Sequence, residues 1–114
     1  MVTPVGIKLA RMGGSTGQIR QLGSDRYALS GPLTFESVPL LWQEGLQLVA
    51  RQPCVTLDLS GITRTDSAGL AVMIEWMRAA RLQNGSIRFC NIPSQLRAIA
   101  GATGVEHLFA DDQP

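Results

Sequence analysis

The chain has 114 residues, a length that fits one domain able to bury a core without disulfides or a structural metal. Hydrophobic residues make up 45% of it and charged residues only 17%, which indicates a globular protein with a charge-poor surface. Ten basic and nine acidic residues leave a formal net charge of +1, which argues against a broad nucleic-acid-binding surface. Without a long apolar run or a recognisable secretory signal, the sequence predicts a cytoplasmic protein.

Two cysteines and one histidine are the strongest metal ligands in the sequence. Cys54 and Cys90 each lie in an apolar, strand-like run, which predicts buried free thiols rather than a disulfide. Together with His107 they do not have the spacing of any common zinc site. We therefore expect neither a metal nor a cofactor.

The N-terminal half begins with residues 1–17, a glycine-rich lead-in that we expect to be loosely ordered, although residues 5–10 could add an edge strand. Residues 18–22 and 26–30 are predicted to form two short strands around a hairpin-like turn, with Gly31-Pro32 ending the second. A helix is predicted over residues 35–50, where apolar residues recur with the helical period. Its apolar arc includes Phe35 and Trp42, and Trp42 could be either a core residue or an interface anchor.

The second half alternates strands and helices. Residues 54–59 have the strongest strand pattern and end at Ser60-Gly61, after which Asp66 is expected to cap a helix that runs to about Gln83. The remaining predicted elements are a strand over 86–90, a helix over 93–102, a short turn over 105–110 and a polar tail over 111–114. This order predicts a single α/β domain, with a mixed, mostly parallel sheet of four to five strands packed with about four helices.

Catalytic and nucleotide-binding signatures are weak. No Gly-Lys-Ser/Thr motif is present, and no Gly-x-Gly-x-x-Gly follows a strand, which excludes nucleotide binding by these routes. The segment around Ser67 resembles a nucleophile elbow without its first glycine, and His107 would be its only available base. We therefore expect no enzymatic activity.

Ser67 lies in the first turn of the predicted second helix. The helical wheel places five residues on a face turned away from the apolar stripe, which indicates a shallow docking surface: Ser67, Ala71, Ile74, Glu75 and Arg78. A phosphate on Ser67 would be tolerated at the positive end of the helix dipole and would add negative charge to that surface. The residues alone favour the simpler interpretation that Ser67 is an ordinary helix-start residue.

Residues 57–70, with the sequence LDLSGITRTDSAGL, closely resemble the signature of the STAS family, which includes the anti-sigma factor antagonists. The resemblance implies a STAS domain over residues 18–110, with Ser67 as the phosphorylatable or partner-contacting position. Arg64 and the Leu40-Leu41-Trp42 run look like the STAS subunit (MlaB-type) of Mla-type phospholipid-transport ABC complexes.

That resemblance implies a non-catalytic cytoplasmic subunit that binds the ABC ATPase and is held through it at the inner face of the inner membrane. The transporter would serve outer-membrane lipid asymmetry. The expected partner-binding residues around Ser67 are Trp42, Arg64, Thr65, Asp66, Ala68, Ala71, Glu75 and Arg78.

The alternative is an anti-sigma factor antagonist that binds an anti-sigma factor kinase and is switched by phosphorylation of Ser67. Many antagonists carry Gly-x-Leu-Asp before the first helix, whereas this chain has Thr34 at the position of the Asp. It also has Ala68 where many antagonists carry a second hydroxyl. Both departures favour a constitutive docking role.

Overall fold

Four strands form one mixed sheet in the computed structural model, which describes residues 17–109. They are β1 (Gln18–Gln21), β2 (Arg26–Leu33), β3 (Cys54–Thr65) and β4 (Ser86–Cys90), in the spatial order β1-β2-β3-β4. The first pairing is antiparallel, and β2, β3 and β4 run parallel. The predicted mixed, mostly parallel sheet is therefore confirmed.

The helices of the described region are α1 (Val38–Arg51), α2 (Ser67–Leu82) and α3 (Ser94–Ala102), followed by a 3-10 helix at Glu106–Phe109. Helices α1 and α2 pack against each other, so they lie on the same face of the sheet, as right-handed crossovers between neighbouring parallel strands require. Helix α3 packs against α2 and buries Leu96 there. The single α/β domain expected from the sequence is thus confirmed, with three α-helices and one 3-10 turn in this region.

The core lies between the sheet and this helical layer. Alternate strand residues point toward the helices, as the pleat requires. The largest fully buried side chains are Trp76, Leu29, Leu33, Leu41, Leu57, Leu59, Met73, Leu96 and Val55. Trp76 Nε1 donates a hydrogen bond of 3.1 Å to the carbonyl oxygen of Trp42, which satisfies the buried indole N–H and ties α2 to α1.

Two strands are longer than the sequence predicted. β2 continues through Gly31 and Pro32, and β3 continues through Ser60-Gly61 to Thr65. The register between the two strands shifts in this stretch, and Gly31 adopts a φ of 87°. A bulge locally interrupts the hydrogen-bond ladder between two strands. Because of these irregularities, β2 can include Gly31-Pro32 and β3 can include Ser60-Gly61, residues that usually end a strand.

The start of α1 also differs from the prediction. The helix begins at Val38 rather than Phe35, because Ser37 Oγ closes a turn before it. That hydroxyl accepts from the backbone N–H of Thr34 at 3.0 Å and donates to the carbonyl of Pro32 at 2.8 Å. Phe35 therefore lies in the loop and is 78% exposed, so its predicted place on the apolar face is wrong.

The predicted burial of the two cysteines is also wrong. Cys54 is exposed and Cys90 is half-buried, and both are free thiols. Their neighbours Val55 and Phe89 take the inward positions of β3 and β4, so strand alternation turns both cysteines to the opposite face of the sheet.

Residues 1–16 of the proposed lead-in, including the edge strand at residues 5–10, and the polar tail at 111–114 lie outside the described residues, whereas Gly17 is described and buried. The division of the chain into these segments and a domain over 18–110 stays a prediction. Between residues 17 and 109, no helix is long and apolar enough to cross a membrane.

Candidate partner-binding site

Asp66 organises the start of α2. Its backbone is extended, with φ of −146°, and its Oδ1 accepts a hydrogen bond of 2.9 Å from the N–H of Ala68, so the predicted N-cap is confirmed. Its Oδ2 accepts a second hydrogen bond of 3.0 Å from the N–H of Phe35. One carboxylate thus joins the first turn of α2 to the loop that precedes α1.

Thr65 and Gly69 bring this first turn down onto the end of β2. The Thr65 hydroxyl is buried and donates to the carbonyl of Leu33 at 2.8 Å. A Cβ added to Gly69 would lie 2.5 Å from Thr65 Oγ1 and 2.7 Å from the Leu33 carbonyl oxygen, so only glycine fits there. Thr65 was expected to contact a partner; its burial instead makes it a positioning residue.

Ser67 is exposed on this fixed scaffold. Its hydroxyl forms no hydrogen bond to another residue of the described part of the chain, His107 included. The N-cap role is filled by Asp66, so the Ser67 side chain is not needed to start the helix. Its hydroxyl is available to a partner or to a modifying group.

An apolar groove lies between α1 and α2, and Ala68, the residue that follows Ser67, is part of its lining. It measures about 190 Å³, and almost all of its lining is apolar except for Glu75. The groove is lined by Val38 and Trp42 of α1 and by Ala68, Ala71, Val72 and Glu75 of α2. The structure therefore brings four of the expected site residues, Trp42, Ala68, Ala71 and Glu75, into one concave surface.

The two tryptophans have different positions. Trp76 is fully buried between α1 and the sheet, whereas Trp42 is 40% exposed and lies along the groove. The sequence left Trp42 open between core and interface. The structure places it at the surface, next to the first two turns of α2.

Neither of the expected arginines lines the groove. Arg78 is exposed one turn beyond Glu75, and its Nη2 lies 3.9 Å from Glu75 Oε2, a loose surface pair. Arg64 is exposed near the end of β3, and its side chain forms no ion pair with another described residue. Both arginines are exposed to solvent.

Sequence reasoning missed three residues of this surface. Val38 and Val72 line the groove, and Phe35, bonded through its N–H to Asp66, exposes its ring. Helical periodicity had assigned such residues to the core or left them out. A signal for Phe35 was available in the Thr34–Ser37 turn, since serine favours closing a turn or cap just before a helix.

A larger cavity of about 440 Å³ opens at the edge of β4, beside Met77, Arg88, Phe89 and Phe109. None of the expected site residues lines it. Across residues 17–109, no group of histidine, cysteine and acidic side chains is arranged to hold a metal ion.

The fold matches solved STAS structures at low sequence identity. The anti-sigma factor antagonist SpoIIAA in its unphosphorylated form gives a TM-score of 0.67 at 14% identity, covering 86% of this chain and 88% of that one. An anti-sigma-factor antagonist (STAS) domain protein from Planctomyces limnophilus gives 0.65 at 16%, covering 82% and 86%. The murine anion transporter Slc26a9 gives 0.60 at 18%, where the match covers 80% of this chain but 16% of the transporter.

Together these similarities define the fold as that of a STAS domain. The family model described as "Mlab, STAS domain" matches residues 18–110, and the chain belongs to that family. STAS domains act through protein–protein interaction and are generally non-catalytic. No curated protein gives a significant match to the sequence.

Proposed function

We propose that this protein is a non-catalytic interaction subunit of an Mla-type ABC phospholipid transporter. In this role it binds the cytoplasmic ATPase subunit through the N-terminal end of α2 and is held through it at the inner face of the inner membrane. The MlaB description of the matching family model supports this choice among the roles of STAS domains.

The observation that carries the proposal is the exposed Ser67 beside a preformed apolar groove. The hydrogen bonds of Asp66 and Thr65 and the close packing of Gly69 hold the first turn of α2 in place. A rigid site loses little conformational freedom on binding, which favours affinity. The ring of Trp42 supplies the kind of large, exposed aromatic side chain that dominates binding at protein interfaces.

The partner surface that fits this site has an apolar side chain for the groove and a polar group for the Ser67 hydroxyl. A basic residue next to that side chain would pair with Glu75, the acidic residue of the lining. Arg64 and Arg78, both exposed, would meet carboxylates of the partner, where guanidinium groups can form paired hydrogen bonds. The remaining surface of the groove excludes water around these contacts.

The experiment is co-purification of the chain with the ATPase subunit of its own host. We expect Ser67→Tyr and Ser67→Asp each to abolish the complex, because the first fills the entrance of the groove and the second adds a charge there. Ser24→Tyr is the matched control, since Ser24 is exposed in the β1–β2 turn. It should leave the complex intact.

The midpoint temperature of thermal unfolding of each variant should stay close to that of the parent. The Ser67 side chain makes no hydrogen bond to another residue of the described region, so its replacement removes none from the fold. Unchanged co-purification of folded Ser67→Tyr would overturn the proposal.

An anti-sigma factor antagonist switched by phosphorylation of Ser67 is the second candidate. The exposed, unbonded hydroxyl at the start of α2 favours it, because a phosphate there would meet the positive end of the helix dipole. Mass spectrometry of the protein isolated from its host distinguishes the two. A phosphate on Ser67 together with a bound anti-sigma factor kinase would replace the first proposal with this one.

A further inference from the structure

The face of the sheet opposite the helices carries exposed arginines on β1, β2 and β4. On β1, β2 and β4 the inward positions are taken by Ile19, Tyr27 and Ile87, so alternation turns Arg20, Arg26 and Arg88 outward. Within residues 17–109, the helices pack on the other face, and this one is open. We refer to Arg20, Arg26 and Arg88 as the arginine band.

The register of the strands fixes the arrangement of the band. Arg26 and Arg88 share one row across the sheet, with Thr56 between them. Their backbone positions are therefore two strand spacings apart, or about 10 Å. Arg20 belongs to the next row, where it pairs with Ala28. The other outward residues of these two rows are Thr56, Ala28, Asp58 and Cys90, of which only Asp58 is charged. The three guanidinium groups therefore extend from a flat floor.

Only one of the three arginines has a local partner. Arg26 Nη2 lies 3.8 Å from Asp58 Oδ2 and 3.6 Å from the sulfur of Cys90. Asp58 is the acidic residue of this face, and it is already bonded to Ser60 and Asn91. Arg20 and Arg88 form no ion pair with other residues of the described region. Their charge is left for a ligand.

We propose that the arginine band binds an acidic, carboxylate-bearing segment of a partner protein. Planar guanidinium groups bind carboxylates through paired hydrogen bonds, and the open floor gives such a segment room to cross the strands. This surface lies on the opposite side of the sheet from the Ser67 groove, so it provides a second and separate contact.

Two other anionic occupants fit less well. No outward aromatic residue on these strands offers a base a surface for stacking, which single-stranded nucleic acid requires. A lipid surface gains about 1 kcal/mol per nearby arginine, so a band of three without a large apolar anchor would bind a membrane only weakly. Carboxylates bonded directly to guanidinium groups avoid both difficulties.

The test is an NMR titration of the full ¹⁵N-labelled chain with a short peptide of alternating glutamate and serine. We expect saturable shifts at the amides of Arg20, Thr56 and Arg88 but not at Ala71 in the groove. The same peptide with glutamine in place of glutamate should cause none. Raising the ionic strength to about 0.15 M should weaken binding, as expected for exposed charges.

Two double variants with the same change in net charge provide the comparison. Arg20→Gln/Arg88→Gln should weaken peptide binding about tenfold. Arg51→Gln/Arg81→Gln should leave the peptide affinity within twofold of that of the parent. These two arginines are exposed near the C-terminal ends of α1 and α2. Equal losses in the two double variants, or no loss in the first, would overturn the proposal.

Two further results would also overturn it. In the first, the chain binds phosphatidylcholine vesicles that contain about one third phosphatidylglycerol, this binding depends on the arginine band, and the peptide does not bind. That result would assign the band to lipid. The other is a several-fold rise in peptide affinity in Asp111→Asn/Asp112→Asn, which would make the chain's own tail the occupant. Since Ser67→Tyr does not alter this face, failure here leaves the proposed ATPase contact standing.

Discussion

Trp76 of α2 packs against Gly45 of α1 so closely that a Cβ added to Gly45 would overlap the five-membered ring of the indole. The indole is fully buried, and its N–H is bonded to the carbonyl of Trp42 one turn earlier on α1. The separation of the two helices is therefore set at this contact. Because the Ser67 groove lies between the same helices, its width depends on Gly45 as well.

We expect Gly45→Ala to destabilise the protein by about 2 kcal/mol, because the overpacked indole outweighs the higher helix propensity of alanine. Gly101→Ala on α3 is the matched control: its Cβ would meet Glu106 Oε1 at 3.6 Å, an ordinary contact. That variant should gain up to about 1 kcal/mol from helix propensity. Urea unfolding of both variants measures the difference, and equal stabilities would contradict the packing argument.

Removal of the Asp66 carboxylate tests the link between α2 and the loop before α1. Asp66→Ala should lower the free energy of unfolding by about 1 kcal/mol, since the Ala68 N–H loses its cap. Asp66→Asn should retain part of the stabilisation that the cap provides, because the amide oxygen of asparagine can still accept one hydrogen bond. Asp25→Ala removes the same charge from an exposed turn and should stay within about 0.5 kcal/mol of the parent.

In the same variants, hydrogen exchange at the Phe35 amide reports the second bond of the carboxylate. Exchange should be faster in Asp66→Ala than in the parent and unchanged in Asp25→Ala. Parent-like protection of this amide in Asp66→Ala would show that the Oδ2 bond does not hold the loop.

Asp58 should make stability depend on pH in the acid range. Partial burial by itself would raise the pKa of Asp58, but hydrogen bonds from the Ser60 N–H and Asn91, together with the charge of Arg26, outweigh it and hold the pKa below its ordinary value. A folded-state pKa below the unfolded one contributes stability above the unfolded value, about 3.9, that is lost as the pH falls through the folded value.

The stability difference between the parent and Asp58→Asn should therefore be largest near neutral pH and shrink below about pH 4. Asn91→Gly, which removes one of the hydrogen bonds to this carboxylate and tolerates the positive φ of 56° at this position, should show a smaller difference in the same direction. Urea unfolding at a series of pH values measures both. A difference that is the same at about pH 7 and about pH 3 would contradict this account.

The sequence was informative wherever the signal is local. The capping role of Asp66 depends on a side chain and a backbone N–H only two residues apart. The strand at 86–90 is likewise indicated by the alternation of polar and apolar residues within it. The predicted strand boundaries were wrong where pairing with a segment distant in the sequence extends the strand. β2 and β3 extend each other past Gly31-Pro32 and Ser60-Gly61 because each supplies the other's ladder, and this pairing is not visible in either segment alone.

The sequence by itself determined the order of the elements, the cap of α2, and the position of Ser67 outside the apolar stripe, because periodicity and capping act within a few residues. Only the tertiary structure decided that Trp76 is core and Trp42 surface, that Thr65 is buried, and that the arginine band lies on an open face. A helical or strand period identifies a face. Which side chains at its margin are covered depends on how closely the neighbouring elements approach, and here Gly45 and Gly69 set that distance.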